Sequence, residues 1–521
     1  MKTTRALLVH ARFPVTYWGF QYCLSLAGRK AALPPLGLLS LAALLPDSWD
    51  LRLVDLNIQR LSKKDLEWAE VVLVSGMRVQ SDSMREVVRR AKELGRRTAV
   101  GGPAPTTAPQ DFAEADVILR GEAESVIPEL LAAMESKERC VISPPALPGL
   151  DRVPVPRYDL VDVKKYASLS IQFSRGCPFN CEFCDVIEIY GRVPRTKSPE
   201  QVLSELECMY GLGYRGSVFF VDDNFVGNRA AVRRLLPELI RWQQERGYPF
   251  ELYTEASVNL AADGELVQDM VAAGFSAVFL GIETPSAEAL AAAGKKQNLA
   301  MDPKEAVERL TRAGLEVMGG FIVGFDSDTP ETLKLQKEFI SNSPIPMAMV
   351  GLLTALPGTA LWKRLEREGR LRKESSGDQF GRPNFAPAMN EEELLSGYAK
   401  LLGEIYSPKE YYRRCWAQLE KSAPPPGGRK LALRDMATFF RTSVRVGMLS
   451  TRAVEYWGLL VKTLRDARHA FPSAVAHAVK GEHLIAYTRK EVLPRIEAAL
   501  EKLREEQEKA LAPLSASFSP A

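Results

Sequence analysis

The chain has 521 residues, of which 46% are hydrophobic and 26% charged, and its net charge is +3. This length exceeds one ordinary domain and predicts about three, and the composition is that of a globular protein. The near-neutral charge does not indicate a nucleic-acid partner. The opening residues lack the apolar core of a signal peptide, and the apolar stretch 31–46 is proline-broken and too short to span a bilayer. We expect a cytoplasmic protein, since seven cysteines without a pairing framework suit a reducing compartment.

Residues 1–140 alternate short apolar runs with helical patterns. Continuous apolar strands separated by helices are typical of a parallel sheet covered on both faces. We therefore predict a doubly wound α/β domain that binds its ligands at the carboxyl ends of the strands. The predicted strands are Arg5–His10, Leu51–Leu56, Val71–Met77, Thr98–Gly102 and Asp116–Gly121, and the predicted helices are Leu36–Leu45, Ser83–Leu94 and Glu124–Met134.

We predict a linker over residues 141–165, because the stretch Ser143–Leu160 has five prolines and little periodicity. Residues 166–375 form a second alternating series whose six βα units predict a partial TIM-type (β/α)6 barrel, with its chemistry at the carboxyl ends of the strands. For residues 376–521 we predict a mainly helical C-terminal domain with a disordered tail. The predicted barrel strands are Ser168–Gly176, Ser217–Asp223, Phe250–Ser257, Ala277–Thr284, Val317–Phe325 and Ala348–Leu356.

The stretch "RGCPFNCEFC" places Cys177, Cys181 and Cys184 just beyond the first barrel strand. Three thiols cannot pair evenly in disulfides, so a metal-ligand set is the better interpretation. Three thiolates can hold three irons of a cubane and leave the fourth iron open to a small molecule. A zinc site is the alternative, although zinc favours pairwise C-x2-C spacing with a fourth ligand, and this region has no histidine.

The pattern C-x3-C-x-aromatic-C after the first strand of such a barrel resembles the radical S-adenosylmethionine (SAM) superfamily. The resemblance implies a 4Fe-4S cluster on the three cysteines, whose open iron binds the amino and carboxylate groups of SAM. It implies reductive cleavage of SAM to a 5′-deoxyadenosyl radical that removes hydrogen from an unactivated C–H bond. It further implies that a reductant such as flavodoxin or ferredoxin supplies the electrons and that Phe183 packs beside the adenine.

The resemblance also places SAM contacts at the ends of later strands. "VDDNF" supplies two carboxylates toward the SAM amino group, although strand-end capping and solvation is the alternative. "TEAS" supplies contacts to the ribose or carboxylate, and "GIET" with Gly319–Phe325 lets backbone approach the adenosyl group. The residues concerned are Asp222, Asp223, Glu255, Ser257, Gly281 and Glu283.

A doubly wound domain before this barrel resembles the cobalamin-binding radical SAM enzymes, and "PPLGLLSLAALLP" and "VGGPAPTTAPQDF" match their pattern. The resemblance implies that Gly101, Gly102 and Pro103 lie against cobalamin, and a simple turn is the alternative. The Asp-x-His-x-x-Gly loop that supplies a cobalt ligand in many cobalamin proteins is absent, and His10 is the one histidine of this region. This departure puts cobalamin binding in doubt.

Within that superfamily, the stretches 181–228 and 245–261 resemble the hopanoid C-2 methylase group, which has a helical C-terminal domain. The resemblance implies cobalamin-dependent methylation of an unactivated sp3 carbon in a lipid or other hydrophobic small molecule. The alternative is a radical enzyme that couples or cyclises lipid chains with a cobalamin-free N-terminal domain. A non-catalytic iron–sulfur or cobalamin sensor is a third hypothesis, which would leave the SAM-facing strand ends without a role.

The stretch 429–490 has twelve Lys and Arg against four Asp and Glu, a net charge of +8, with apolar residues interleaved. Basic amphipathic helices of this kind bind anionic membrane surfaces, so one interpretation is a peripheral contact with the inner face of the membrane. The other interpretation is a helical cap on the barrel with a solvated basic face. The sequence leaves both open.

Overall fold

The computed structural model describes residues 3–372, 379–424, 426–427 and 433–516, with residues 510–516 described by backbone alone. It is α/β and contains two six-stranded parallel sheets followed by helices. The predicted domain boundary at 375/376 and the last residues of the predicted disordered tail, 517–521, lie outside the described residues.

The first sheet has the strand order β2-β1-β3-β4-β5-β6, with every neighbouring pair parallel. This doubly wound order reverses between β1 and β3, and folds of this kind bind ligands at the carboxyl ends of the strands beside that reversal. The strands are β1 Arg5–His10, β2 Asp50–Asp55, β3 Val71–Ser75, β4 Arg97–Gly101, β5 Val117–Leu119 and β6 Cys140–Ile142, and the helices are α1 Leu36–Leu44, α2 Lys63–Trp68, α3 Ser81–Glu93, α4 Pro103–Thr107 and α5 Ile127–Glu135.

The five predicted strands of this sheet are confirmed, and the sixth was missed. Strand β6 has only three residues and pairs with β5 from Cys140 to Ile142, so the sheet extends two residues past the predicted boundary at 140. So short a strand gives no readable periodicity. The predicted linker also carries a packed residue, since the ring of Tyr158 is fully buried and its hydroxyl donates to the carbonyl of Ser170 at 2.7 Å.

The second sheet has its strands in sequential order, β14-β13-β12-β11-β10-β7, and curls into an open half-barrel. The predicted partial barrel is thereby confirmed. Its strands are β7 Ser168–Ile171, β10 Gly216–Phe220, β11 Phe250–Ala256, β12 Phe275–Glu283, β13 Glu316–Val323 and β14 Ala348–Leu352. A small antiparallel pair, β8 Ser174–Arg175 and β9 Arg195–Thr196, follows β7. The helices are α6 Val186–Tyr190, α7 Pro199–Gly211, α8 Arg229–Glu245, α9 Gly264–Ala272, α10 Ala287–Ala292, α11 Pro303–Ala313, α12 Pro330–Asn342 and α13 Ala360–Arg367.

The first barrel strand is shorter than predicted. The sequence predicts one strand over Ser168–Gly176, whereas β7 ends at Ile171 and the chain turns into the separate pair β8–β9. The turn arises because the carboxylate of Asp222 accepts hydrogen bonds from the backbone N–H groups of Phe173 and Ser174. A side chain 49 residues beyond Phe173 thus ends the strand, which local periodicity cannot reveal.

Local signals explain where the barrel helices begin. Helix α7 starts at Pro199, directly after a capping box in which Ser198 and Gln201 satisfy each other's backbone N–H groups. Helix α12 starts at Pro330 in the same way, with Thr329 as its N-cap. Proline at the first helical position loses no hydrogen bond, because the first N–H groups of a helix have no partner within it.

The C-terminal helices cover the amino ends of the barrel strands. The Tyr406 hydroxyl donates to the carbonyl of Ala348 at the start of β14, and Lys480 pairs with Glu316 at the start of β13 at 2.8 Å. These helices are α14 Glu391–Ile405, α15 Pro408–Lys421, α16 Leu433–Thr442, α17 Ala453–Asp466, α18 Phe471–Tyr487 and α19 Leu493–Ala516, with a π-helical segment Ser443–Met448 between α16 and α17. Nowhere in the described ranges is a helix both long and apolar enough to cross a membrane.

Two buried histidines of α18 make stability depend on pH. His477 donates from Nε2 to Gln418, His483 donates to the carbonyls of Thr16 and Tyr17, and burial lowers the pKa of each to about 4. In the unfolded chain each titrates near 6.5, so the stability from keeping them neutral is complete above that pH and is lost as pH falls toward 4.

We expect the free energy of unfolding to fall by up to about 3 kcal/mol for each of these histidines across this interval. Urea unfolding at several pH values measures the slope of the free energy of unfolding against pH. His477→Gln should flatten part of the slope, and His469→Gln, at an exposed histidine, should leave it unchanged. Equal slopes for wild type and His477→Gln would contradict the expectation.

Candidate active site

The three cysteines lie in one loop that follows β8 and is fixed at several points. Gly176 has φ +98°, and a Cβ there would lie 2.8 Å from the carbonyl oxygen of Gly191, so the loop entrance requires glycine. Cys177 N–H donates to that same carbonyl at 3.2 Å. Further along the loop, Glu182 N–H donates to Ala293 at 3.0 Å, which ties the loop to the end of α10. The loop is thereby placed at the carboxyl end of the barrel.

All three cysteines are free of disulfides and half-buried, and hydrogen-bond donors lie near their sulfur atoms. Burial raises the pKa of Cys177 and raises that of Cys184 to about 12, and backbone N–H groups partly oppose both shifts. The Nδ2 of Asn224 lies 3.9 Å from Cys177 Sγ, and the Nε2 of Gln297 lies 3.4 Å from Cys181 Sγ. Three unpaired sulfurs with N–H donors beside them fit an iron–sulfur cluster, whose sulfur charge such donors stabilise.

Across the residues whose side chains are placed, no three His, Cys, Asp or Glu groups converge closely enough to hold one metal ion. A cluster does not require this, because each of the three thiolates binds a different iron.

The two carboxylates of "VDDNF" have different surroundings. Asp222 is fully buried, its oxygens accept from the N–H groups before the cysteine loop, and burial raises its pKa to about 7. Asp223 accepts from Gly176 N–H, and burial raises its pKa to about 6. Its Oδ2 is buried and has no hydrogen-bond partner among the described side chains and backbone. Asp222 therefore supports the loop, whereas Asp223 keeps an acceptor free beside the cysteines.

Glu255 and Ser257 end β11 next to these carboxylates. Burial, followed by the charges of Asp223 and Asp222, raises the pKa of Glu255 to about 8. The Ser257 hydroxyl donates to Asn259 at 2.7 Å and accepts from Asn224 at 3.3 Å. Asn224 thus links the third strand end to the first cysteine, although sequence reasoning named only its two acidic neighbours.

Gly281 and Glu283 lie at an irregular point of β12. The β12–β13 register shifts between Gly281 and Glu283, and Glu283 has φ +65°, which is strained for a residue with a side chain. Glu283 pairs with the buried Lys295, whose amine lies 5.7 Å from the ring centre of Phe183. Burial lowers the pKa of Lys295, but the charge of Glu283 outweighs it and the net shift is upward.

Sequence reasoning missed Lys295 and Gln297. Both follow the short helix α10 in "AAAGKKQNL", where no motif or periodicity distinguishes them. Gly294 brings this segment close to the cysteine loop, because a Cβ there would lie 2.9 Å from the carbonyl oxygen of Asn180. Phe183, the predicted adenine neighbour, is half-buried and packs edge-on against Phe325 at 6.1 Å. Its adenine contact stays a prediction.

The carboxyl edge of the first sheet is joined to the cysteine loop by ion pairs. Glu122, in the loop after β5, is 3% exposed and pairs with Arg175 of β8 and with Arg195 of β9 at 2.6 Å. Glu124 pairs with Arg175 at 2.7 Å, and the charge of Arg175 outweighs burial and lowers the pKa of Glu124. These contacts hold the predicted cobalamin edge against the cysteine loop.

Three protein-family models match successive parts of the chain. The B12-binding domain matches residues 24–131, the radical SAM superfamily matches 171–339, and a domain of unknown function, DUF4070, matches 359–498. An uncharacterized methyltransferase of Synechocystis sp. is 41% identical over 491 residues, covering 93% of this chain and 92% of that protein. The hopanoid C-2 methylase of Rhodopseudomonas palustris is 35% identical, covering 93% and 94%.

The chain belongs to the cobalamin-binding radical SAM superfamily. Solved structures agree on the fold. The methyltransferase TsrM from Kitasatospora setae has a TM-score of 0.63 at 17% identity, covering 90% of this chain and 100% of that one. The cobalamin-dependent radical enzyme OxsB has a TM-score of 0.60 at 16% identity, covering 96% and 81%.

As a member of this superfamily, the chain is a radical SAM enzyme of methyltransferase type, and its cofactors are a 4Fe-4S cluster, SAM and cobalamin. The doubt raised by the missing Asp-x-His-x-x-Gly loop is thus resolved in favour of cobalamin. The match to the B12-binding domain favours methylation over the alternative with a cobalamin-free domain. Enzymatic activity of this class also excludes the sensor hypothesis.

The backbone at Gly101, Gly102 and Pro103 fits the close approach expected of a cobalamin edge. Gly101 ends β4 and Pro103 begins α4. Between them Gly102 has φ +95°, and a Cβ there would lie 2.6 Å from Ser75 Oγ at the end of β3. The turn alternative is therefore partly right, because Gly102 is required by the turn itself. The contact of these three residues with cobalamin stays a prediction.

Gly102→Ala should lower cobalamin retention and stability, because it combines a strained φ with a clash against Ser75. The strain alone costs about 1–3 kcal/mol, because φ +95° with ψ −172° is a backbone conformation that is essentially confined to glycine. Gly95→Ala is the matched control, since Gly95 has φ +66° and a Cβ added there would meet no atom within 4 Å. Absorbance of bound cobalamin and thermal unfolding measure both effects. Equal losses in the two variants would show that the clash is without consequence.

Proposed function

We propose that this enzyme methylates an unactivated sp3 carbon of a lipid or another hydrophobic small molecule. Support comes from the 35% identity to the hopanoid C-2 methylase, which extends over 93% of the chain. The reaction type follows from the superfamily, whereas the substrate class is our inference from that relative and from the barrel interior.

The observation that carries this proposal is the aromatic interior of the half-barrel. Residues of β11 alternate between buried and half-buried, so one set packs under the helices and the other faces the interior. Among the half-buried set, Tyr253 stacks on Phe219 of β10 with ring centres 4.7 Å apart and planes within 6°. On β12, Phe279 meets Trp18 edge-on at 5.3 Å. Such a surface binds apolar carbon skeletons better than polar ones.

Polar groups gather at the other end of this interior, beside the cysteines. Asp223 and Glu255 offer carboxylates at the strand ends, and the free Oδ2 of Asp223 suits a hydrogen bond from the SAM amino group. Lys295 brings a positive charge toward Phe183 and the thiols. The site therefore grades from apolar to charged, which would orient a hydrophobic substrate with its reacting carbon toward SAM.

Within this site each part of the chain has its own task. Cys177, Cys181 and Cys184 would hold the cluster, and Asp222 fixes the backbone that leads to them. The ion pairs of Glu122 keep the cobalamin edge next to that loop. When bound, the cofactors supply radical formation and a transferable methyl group. The aromatic lining would keep water away from the reacting carbon, which protects a radical from side reactions.

The test is product analysis with the protein loaded anaerobically with iron, sulfide and hydroxocobalamin. The reaction starts on addition of SAM, a lipid extract and a reductant. The reductant is reduced flavodoxin, reduced ferredoxin or dithionite. We expect S-adenosylhomocysteine and 5′-deoxyadenosine to rise together, only with cobalamin present, and a lipid to gain the mass of one CH2 group, since methyl replaces hydrogen. Deoxyadenosine alone, indifferent to cobalamin, would overturn methylation and favour coupling or cyclisation of lipid chains. Methylation confined to polar fractions would overturn the substrate class.

A further inference from the structure

The two helices α16 and α17, with the turn between them, expose an apolar surface that the barrel and its cofactors do not use. We name it the hairpin face. On α16 it consists of Leu433, Met436 and Phe440, which follow one another at spacings of three and four residues. That spacing places them on one side of the helix. Their exposed fractions are 86%, 64% and 69%.

Helix α17 repeats the pattern, and the turn completes it. Val454, Trp457, Val461 and Leu464 follow at spacings of three, four and three residues, and all four are exposed. Met448 and Leu449 lie at the turn and are 72% and 78% exposed. Nine of the eighteen large apolar side chains that are exposed in the described part of the chain lie between residues 433 and 464. Exposed apolar side chains concentrated in one segment in this way mark a site of interaction with a partner.

The exposure is not a sign of loosely packed helices. The opposite side of α17 is buried, with Tyr456, Leu459 and Leu460 in the main core, and on α16 the ring of Phe439 packs against that of Phe471 with centres 5.8 Å apart. Tyr456 is further fixed by a 2.8 Å hydrogen bond between its hydroxyl and that of Ser443. An ordinary surface helix turns polar residues outward. Both helices pack onto the protein with one side and expose apolar side chains on the other, so the exposed side remains for a partner.

The charge around the hairpin face is basic. Between residues 433 and 470 there are seven Lys and Arg against three Asp and Glu, a net charge of +4 with histidine neutral. One of the acidic residues, Asp466, is paired with Arg465 at 2.8 Å. Five further basic side chains are exposed, namely Arg434, Arg441, Arg445, Lys462 and Arg468. Apolar side chains bordered by arginine and lysine complement an anionic lipid surface.

We propose that the hairpin face inserts into the interface of an anionic bilayer, with its basic border on the lipid headgroups. The hairpin lies near the amino end of the barrel, because Arg434 donates to the carbonyl of Arg215, the residue before β10. Docking would bring that end of the barrel to the membrane and leave the cysteine loop at the far end. The proposal depends on exposure and charge alone and stands whether or not the substrate is a lipid.

The test is co-sedimentation of the full chain with vesicles. One set is phosphatidylcholine alone, and the other contains about 30% phosphatidylglycerol. We expect binding to the anionic set, weakened at about 0.5 M salt. Met448→Ser with Leu449→Ser should weaken binding at least about tenfold, because exposed apolar area is removed without touching the core. Arg445→Gln with Arg468→Gln should weaken it by about tenfold or more.

Leu335→Ser is the matched control, since Leu335 is 56% exposed on α12, away from the hairpin, and should leave binding unchanged. Thermal unfolding checks that each variant is folded. Binding that is equal for wild type and both double variants, or absent from anionic vesicles, overturns the proposal. A dimer seen by light scattering that Met448→Ser with Leu449→Ser dissociates, without vesicle binding, would assign the face to a second copy of the chain. None of these readouts uses catalysis, so failure here is separate from failure of the proposed function.

Discussion

Cys181→Ala is expected to abolish both SAM cleavage and methylation. With one of three thiolates removed, the cluster loses a ligand, and the described side chain that contacts Cys181, the amide of Gln297, is a hydrogen-bond donor and not a thiolate. We expect rates to fall by about 1,000-fold or more, since an enzyme without its chemical centre loses most of its rate enhancement. Iron content, the visible absorbance of the reconstituted protein and 5′-deoxyadenosine yield measure the effect.

The matched control is Cys208→Ala, at a half-buried free cysteine on α7. It removes a thiol without touching the loop and should retain iron and activity. Unchanged iron content in Cys181→Ala would refute the ligand assignment. If iron content is unchanged and SAM cleavage is nevertheless lost, Cys181 acts in the reaction without being a ligand of the cluster. Cys177→Ala and Cys184→Ala should behave like Cys181→Ala if the three form one ligand set.

Glu122→Gln is expected to be the most destabilising single change at the contact between the first sheet and the cysteine loop. Its buried carboxylate pairs with Arg175 and Arg195, whose side chains are only 12% and 16% exposed. The change leaves Arg195 without the carboxylate that it pairs with, whereas Arg175 keeps Glu124, so we expect a cost of at most the roughly 3–5 kcal/mol of a broken buried ion pair. We expect the midpoint of urea unfolding to fall and cobalamin retention to weaken, because the cobalamin edge loses its fixed position beside the loop.

Glu129→Gln is the control, since Glu129 is exposed on α5 and the same charge change there should have little effect. Glu122→Asp separates charge from geometry, because it keeps the carboxylate on a shorter side chain. Partial recovery in Glu122→Asp would support charge pairing as the cause. A stability loss no larger in Glu122→Gln than in Glu129→Gln would contradict the expected coupling.

Much of the fold could be predicted because its signals are local. The apolar runs of the parallel strands and the capping residues of α7 and α12 lie within a few positions of the structure that they cause. The cysteine motif is equally local, since Cys177, Cys181 and Cys184 fall within eight residues. One error came from a strand of three residues, β6, and another from a distant side chain, at β7, which Asp222 ends.

Three residues of the site, Gln297, Lys295 and Glu122, could not be predicted, because their contacts are with partners far along the chain. Gln297 lies 116 residues from the cysteine that it contacts, and Glu122 lies 53 residues from Arg175. No periodicity connects such positions, and a single sequence gives no other signal for them. Lys295 is a further case, since a lysine in a loop is usually solvated, whereas here folding buries it against Glu283.

The sequence alone determined the order of the three structural regions, the clustering of the three cysteines that we predict as ligands, and the basic, apolar character of the C-terminal helices. Only the tertiary structure decided which atoms meet at the site and which side of α16 and α17 stays exposed. The physical reason is the same in both cases. Periodicity shows that a helix such as α17 has apolar sides, but packing selects the buried one, so Tyr456 lies inside and Val454 faces outward.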